Sequence, residues 1–88
     1  MDRRALIEDR LRAAFEPLAL DVLDESAKHR GHAGAAAGGG HFRVRLVSER
    51  FRGRSRLERH RLVYDALAVE LGPEIHALAL ELRSPEER

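Results

Sequence analysis

Three short runs in which apolar and polar residues alternate constrain this chain more than any other feature. They cover residues 18–23, 41–48 and 75–82, and a period of two marks strands that bury one face. What separates the runs decides how they pair. Between the first two lie Lys28-His29-Arg30-Gly31-His32 and then Ala33-Gly34-Ala35-Ala36-Ala37-Gly38-Gly39-Gly40, a segment with little to bury and much backbone entropy to lose. A mobile loop over 27–40 is expected, joining strands one and two as an antiparallel pair. It is far longer than the roughly 2–5 residues of an ordinary hairpin connection, and loops of that length are commonly functional.

Helical periodicity fills the rest of the chain. Leu6, Ile7, Leu11, Ala14 and Phe15 recur at helical spacing until Pro17 stops the pattern. Ser55-Arg56-Leu57-Glu58 has the S-x-x-E form in which serine and glutamate satisfy each other's orphan amides, so a second helix starts at Ser55. Its inner stripe reads Leu57, His60, Tyr64, Leu67, Ala68 and Leu71, its outer face Arg56, Arg59 and Glu70, and Gly72-Pro73 ends it. Ser84-Pro85-Glu86-Glu87 resembles the start of another helix, truncated at 84–88. The predicted fold is α/β of the α+β kind: α-β-β-α-β, a three-stranded mixed sheet with both helices on one face, in one domain spanning 1–88.

With 88 residues the core is thin, and a deep enclosed active site is not expected. No Ser-His-Asp order, phosphate-binding glycine loop or His-x-x-x-His pair is present, so no catalytic activity is assigned. The chain opens on charged amphipathic sequence and has no 18-residue apolar run, which predicts a cytoplasmic protein that does not enter membranes. Cysteine is absent, so any thiolate chemistry must come from a partner.

Two groups of residues carry chemistry. The five histidines are His29, His32, His41, His60 and His76. His76 shares the phase of Leu78, Leu80 and Leu82 and, on these residues alone, reads as a satisfied histidine at the edge of the core. His32 and His29 read as solvated loop residues, His60 as structural, and His41 as exposed or paired with Asp24 or Glu25. The second group is a block of arginine: residues 43–61 hold eight arginines against two glutamates, a local +6 inside a chain whose net charge is +1. Arg50, Arg52, Arg54, Arg56, Arg59 and Arg61 surround a turn at Gly53 and a helix N-terminus, where guanidinium groups and amides suit phosphate oxygens. A solvated charged face is the plainer reading.

Asp24-Glu25-Ser26, His41-Phe42, Val47-Ser48, Phe51-x-Gly53-x-Ser55-x-x-x-Arg59-His60-Arg61-Leu62-Val63-Tyr64 and Ile75-His76-Ala77-Leu78-Ala79-Leu80 together resemble the BolA family. The match runs from about Leu6 to Pro85. The resemblance implies a KH-like fold and two kinds of activity. One is partnership with a monothiol glutaredoxin, the two proteins sharing a bridging [2Fe-2S] cluster completed by glutathione, in cluster trafficking or iron and redox regulation. The other is binding of duplex DNA as a transcriptional regulator linked to stress and cell morphology. In cluster-sharing members the ligands are the histidine of the Ile-His-Ala-Leu strand and a residue of the long loop. These positions map onto His76 and His32, with His29 as the alternative. Histidines can replace two of the four cluster thiolates, so a cysteine-free chain is suited to such half-sites and holds no cluster alone. A KH domain clamps single strands with Gly-x-x-Gly, whereas Gly53-Arg54-Ser55-Arg56 lacks the second glycine, which leaves duplex contact as the nucleic-acid mode. A weak homodimer of the free chain is a further state left open.

Overall fold

The computed structural model describes residues 3–25, 40–71 and 75–87. Helix α1 spans Arg3–Phe15, strand β1 Ala19–Asp24, strand β2 Gly40–Val47, helix α2 Arg56–Leu71 and strand β3 Ile75–Arg83. One-turn 3-10 helices follow β2 at Glu49–Phe51 and β3 at Pro85–Glu87. The expected order α-β-β-α-β is the observed one. The sheet runs β1-β2-β3, with β1 antiparallel and β3 parallel to β2, so it is mixed, as expected. Residues 27–39 of the expected loop lie outside the described residues, and Gly40 already belongs to β2.

Alternation sorts the strands into two faces. Val22, Phe42, Val44 and Leu46 are buried under the helices, with Leu20, Leu78, Leu80 and Leu82 packed partly buried beside them. Against them sit Ile7, Leu11 and Phe15 of α1, Val63 and Leu67 of α2, and Phe51 of the 3-10 turn. Each such large side chain contributes roughly 1.5–3 kcal/mol when fully buried. The other face carries Asp21, Leu23, Arg43, Arg45, Ala79, Glu81 and Arg83, all exposed.

The expected inner stripe of α2 is corrected in part. Leu67 is buried at 1% as expected, but Leu57 and Tyr64 are 59% and 49% exposed, Ala68 is exposed too, and Val63, outside the expected stripe, is sealed at 0%. Turned this way, the helix points Arg59 inward, and its side chain is only 11% exposed. At the C-terminus, the expected helix start forms the 3-10 turn instead. The Glu87 amide donates to the Ser84 carbonyl at 3.0 Å, and the Glu87 carboxylate accepts from the Ser84 amide at 2.8 Å.

Candidate functional site

The two candidate sites fall at opposite ends of the sheet. Because β2 and β3 run parallel, they begin at one end and finish at the other. Gly40 is in register with Ile75 and His41 with Ala77, so His76 is the extra residue of a bulge in the ladder at the head of β3. The segment carrying His29 and His32 leaves β1 after Glu25 and rejoins at Gly40, and the Glu25 amide donates to the His41 carbonyl at 2.8 Å. Both roots of that segment therefore stand at the His76 end of the sheet. His29 and His32 themselves lie outside the described residues. His41 is half-buried, and the Glu25 carboxylate accepts from Arg43 Nε at 3.3 Å. Among the described residues no group of three or more His, Asp or Glu side chains is placed to hold a metal.

The other end is built around Ser48. Its buried hydroxyl donates to the Phe15 carbonyl at 2.6 Å and accepts from the Arg50 amide at 3.1 Å, while its own amide donates to the Arg83 carbonyl. One side chain thus ties the end of α1 to the turn that follows β2. Phe51 packs its ring 5.1 Å from that of Phe15. Gly53 takes φ +74°, a left-handed conformation that glycine adopts without penalty. Ser55 and Glu58 then close the expected reciprocal cap: the Ser55 amide donates to Glu58 at 2.7 Å, and the Glu58 amide donates to the Ser55 hydroxyl at 3.1 Å. The Ser55 amide and hydroxyl, with help from Arg54 and Arg61, hold the Glu58 carboxyl below its ordinary range.

Most of the arginine block is consumed internally. Arg50 pairs with Glu16, Arg43 with Glu25 and Arg45 with Glu81. Arg52 grips Glu49 through two nitrogens and also reaches Glu86 at 2.8 Å. That grip lowers the Glu49 carboxyl pKa and raises the Arg52 guanidinium. Arg59 goes furthest. It donates to the carbonyls of Arg54 at 3.0 Å and Leu82 at 3.2 Å, pairs with Glu87 at 2.6 Å, and stands 5.9 Å over the Phe51 ring. Hydrogen bonding from Arg59, and secondarily from the Ser84 amide, pulls the Glu87 carboxyl down to about 2.

Three arginines are left over. Arg54, Arg56 and Arg61 are exposed and have no ion-pair partner among the described residues. Arg54 and Arg56, with Arg59 and the half-buried His60, line an open groove of about 870 Å³ that extends along β3 past Leu80 to the exposed sheet face. His60 faces this groove from α2. Among the described residues no helix is long and apolar enough to cross a membrane.

Comparison with known proteins gives a consistent result. A family model described as BolA-like protein matches residues 11–87. The chain is 52% identical over 77 residues to the DNA-binding transcriptional regulator BolA of Escherichia coli K12, covering 88% of this chain and 70% of that protein. It is 48% identical over 81 residues to human BolA-like protein 1, covering 92% of this chain and 57% of that protein. Among solved structures, the BolA domain of SufE1 from Arabidopsis thaliana superposes with a TM-score of 0.86 at 39% identity, covering 100% of this chain and 98% of that one. BolA1 from the same plant gives 0.83 at 33% identity, with the same coverage.

Proposed function

The chain belongs to the BolA family, and from that premise we propose that it is an adaptor that partners a monothiol glutaredoxin and shares a bridging [2Fe-2S] cluster with it. The observation that carries this reading is the placement of His76. It is the bulged residue at the head of β3, at the same end of the sheet as both roots of the segment bearing His32 and His29. The donor set fits half of a cluster site: the chain has no cysteine, and imidazole nitrogen is the ligand type that replaces cluster thiolates. When bound, the cluster supplies a one-electron couple and a transferable iron–sulfur unit. This chain's part is to offer neutral imidazole from a fixed strand position and a second imidazole from the adjoining segment. Imidazole must be unprotonated to bind metal, so mild acid weakens the complex. No catalytic step is assigned to the chain.

The test is reconstitution with a monothiol glutaredoxin, glutathione and iron under reducing conditions, followed by visible absorption and circular dichroism. His76→Ala is expected to change the spectrum of the mixed complex, and His32→Ala against His29→Ala identifies the second ligand. A His76→Ala spectrum identical to wild type sinks the assignment.

A second reading, binding of duplex DNA in transcriptional regulation, is favoured by one specific observation. Arg54, Arg56 and Arg61 join no ion pair among the described residues around the start of α2, where three other arginines of the expected six are tied down. The E. coli relative, named as a DNA-binding regulator, supports it. Each phosphate contact contributes roughly 0.9 to the slope of log affinity against log salt, so Arg54→Ala and Arg56→Ala each lower the slope by about that amount. A slope unchanged by both excludes this surface.

A further inference from the structure

We propose that the outer face of α2 is a self-association surface, on which a second copy of this chain packs antiparallel with Leu57 against Tyr64 and Glu58 opposite Arg61. The rotation of α2 that turns Arg59 inward leaves Leu57 and Tyr64 outward, 59% and 49% exposed, with exposed Ala68 on the same stripe. At about 100° per residue these three side chains fall within an arc of roughly 40°. Beside that stripe, Glu58, Arg61 and Asp65 follow one another on one flank, and their charges alternate: minus, plus, minus. Neither Arg61 nor Asp65 joins an ion pair among the described residues, although their i,i+4 spacing permits one.

Such a flank is complementary to its own reverse. In an antiparallel two-fold pair the same flanks face each other, so every contact occurs twice. The register that sets Glu58 opposite Arg61 of the second copy makes that pair twice, once from each chain. At a rise of about 1.5 Å per residue, it brings Leu57 within roughly 3 Å, along the helix axis, of Tyr64 of the second copy. One register satisfies both the apolar and the charged contacts. Other occupants fit less well. DNA meets Glu58 and Asp65 as repulsive charges and gains little from Leu57 and Tyr64, and a partner of one charge sign meets both signs. The chain's own net charge of +1 sets up little long-range repulsion between copies. One helix face per copy buries less than the roughly 1,200 Å² of a standard interface, so the dimer is weak and salt-sensitive.

Sedimentation equilibrium of the full chain, from about 10 μM to about 1 mM at low salt, tests this across the range where a small interface shows. A monomer–dimer equilibrium is expected. Tyr64→Glu and Arg61→Glu should each raise the dissociation constant about tenfold or more, and Arg61→Glu combined with Glu58→Arg should recover most of that loss. Because Glu58 also caps α2, circular dichroism must first show the double variant folded. If it is not, Tyr64→Glu and Arg61→Glu, which leave the cap residues in place, carry the test by themselves. A chain monomeric throughout overturns the proposal, as does a dimer indifferent to Tyr64→Glu and Arg61→Glu. A monomer in which Tyr64→Glu weakens only duplex DNA binding also overturns it and assigns the stripe to DNA.

Discussion

Replacing Arg59 by methionine separates a structural arginine from a ligand-binding one. Methionine keeps the aliphatic packing of a side chain that is 11% exposed and removes the guanidinium. Four interactions are lost. The bond to the Leu82 carbonyl is partly buried, and a charged donor there is worth roughly 1.5–3 kcal/mol. The cation–π contact with Phe51, at 5.9 Å from the ring centroid, adds about 0.5–1 kcal/mol at the edge of its range. The carbonyl of exposed Arg54 and the carboxylate of Glu87, 44% exposed, return to water and add little. The expected destabilisation is therefore about 2–4 kcal/mol. With a urea m-value of about 1 kcal/mol/M for a chain this small, the unfolding midpoint should fall by about 2 M or more at unchanged m. The salt slope of DNA binding, measured on folded protein, should not move. A midpoint shift below about 0.5 M, or a flattened salt slope, would refute the assignment of Arg59 to the interior.

Two further outcomes follow from the same end of the sheet. Glu87 has an ordinary value of 4.5 and sits at about 2 in the fold, so its contribution to stability is full above 4.5 and is lost as pH falls from there towards 2. Glu49 and Glu58, also lowered, act in the same direction. Urea midpoints measured down this range should decline, and more shallowly in Glu87→Gln; equal slopes in both proteins count against the Arg59–Glu87 latch. Ser48→Ala leaves the Phe15 carbonyl and the Arg50 amide without their buried partner, which costs about 1–3 kcal/mol. Thermal unfolding should register roughly 4–8 °C per kcal/mol, and an unchanged Tm would mean that water replaces the hydroxyl without loss.

The strands were legible because alternation is a local property: residues 18–23, 41–48 and 75–82 each carry their own period, and the connections between them dictate antiparallel and parallel pairing. The cap at Ser55 and Glu58 was equally local. The face of α2 was not. Leu57 and Tyr64 have the composition of core residues, and an arginine does not announce itself as one. Arg59 turns inward because its partners Leu82, Glu87 and Phe51 come from three other parts of the chain. The +6 block misled for the same reason. Its acids Glu16, Glu25, Glu81, Glu86 and Glu87 lie outside residues 43–61 in sequence and beside them in space. A charge sum along a segment counts sequence neighbours, and electrostatics counts spatial ones. At the opposite end, spacing alone read His76 as a core-edge histidine, and its ligand role is proposed from family membership. The register shift beside it depends on pairing with β2, which no local pattern encodes.

The adaptor reading is tested most directly by recovering the chain with its endogenous partners under anaerobic conditions and measuring iron, acid-labile sulfide and partner identity together. A monothiol glutaredoxin carrying iron and sulfide in equal amounts, with the metal lost from the His76→Ala complex, is the predicted result. A glutaredoxin complex without iron, or one whose iron is indifferent to His76→Ala, would contradict it.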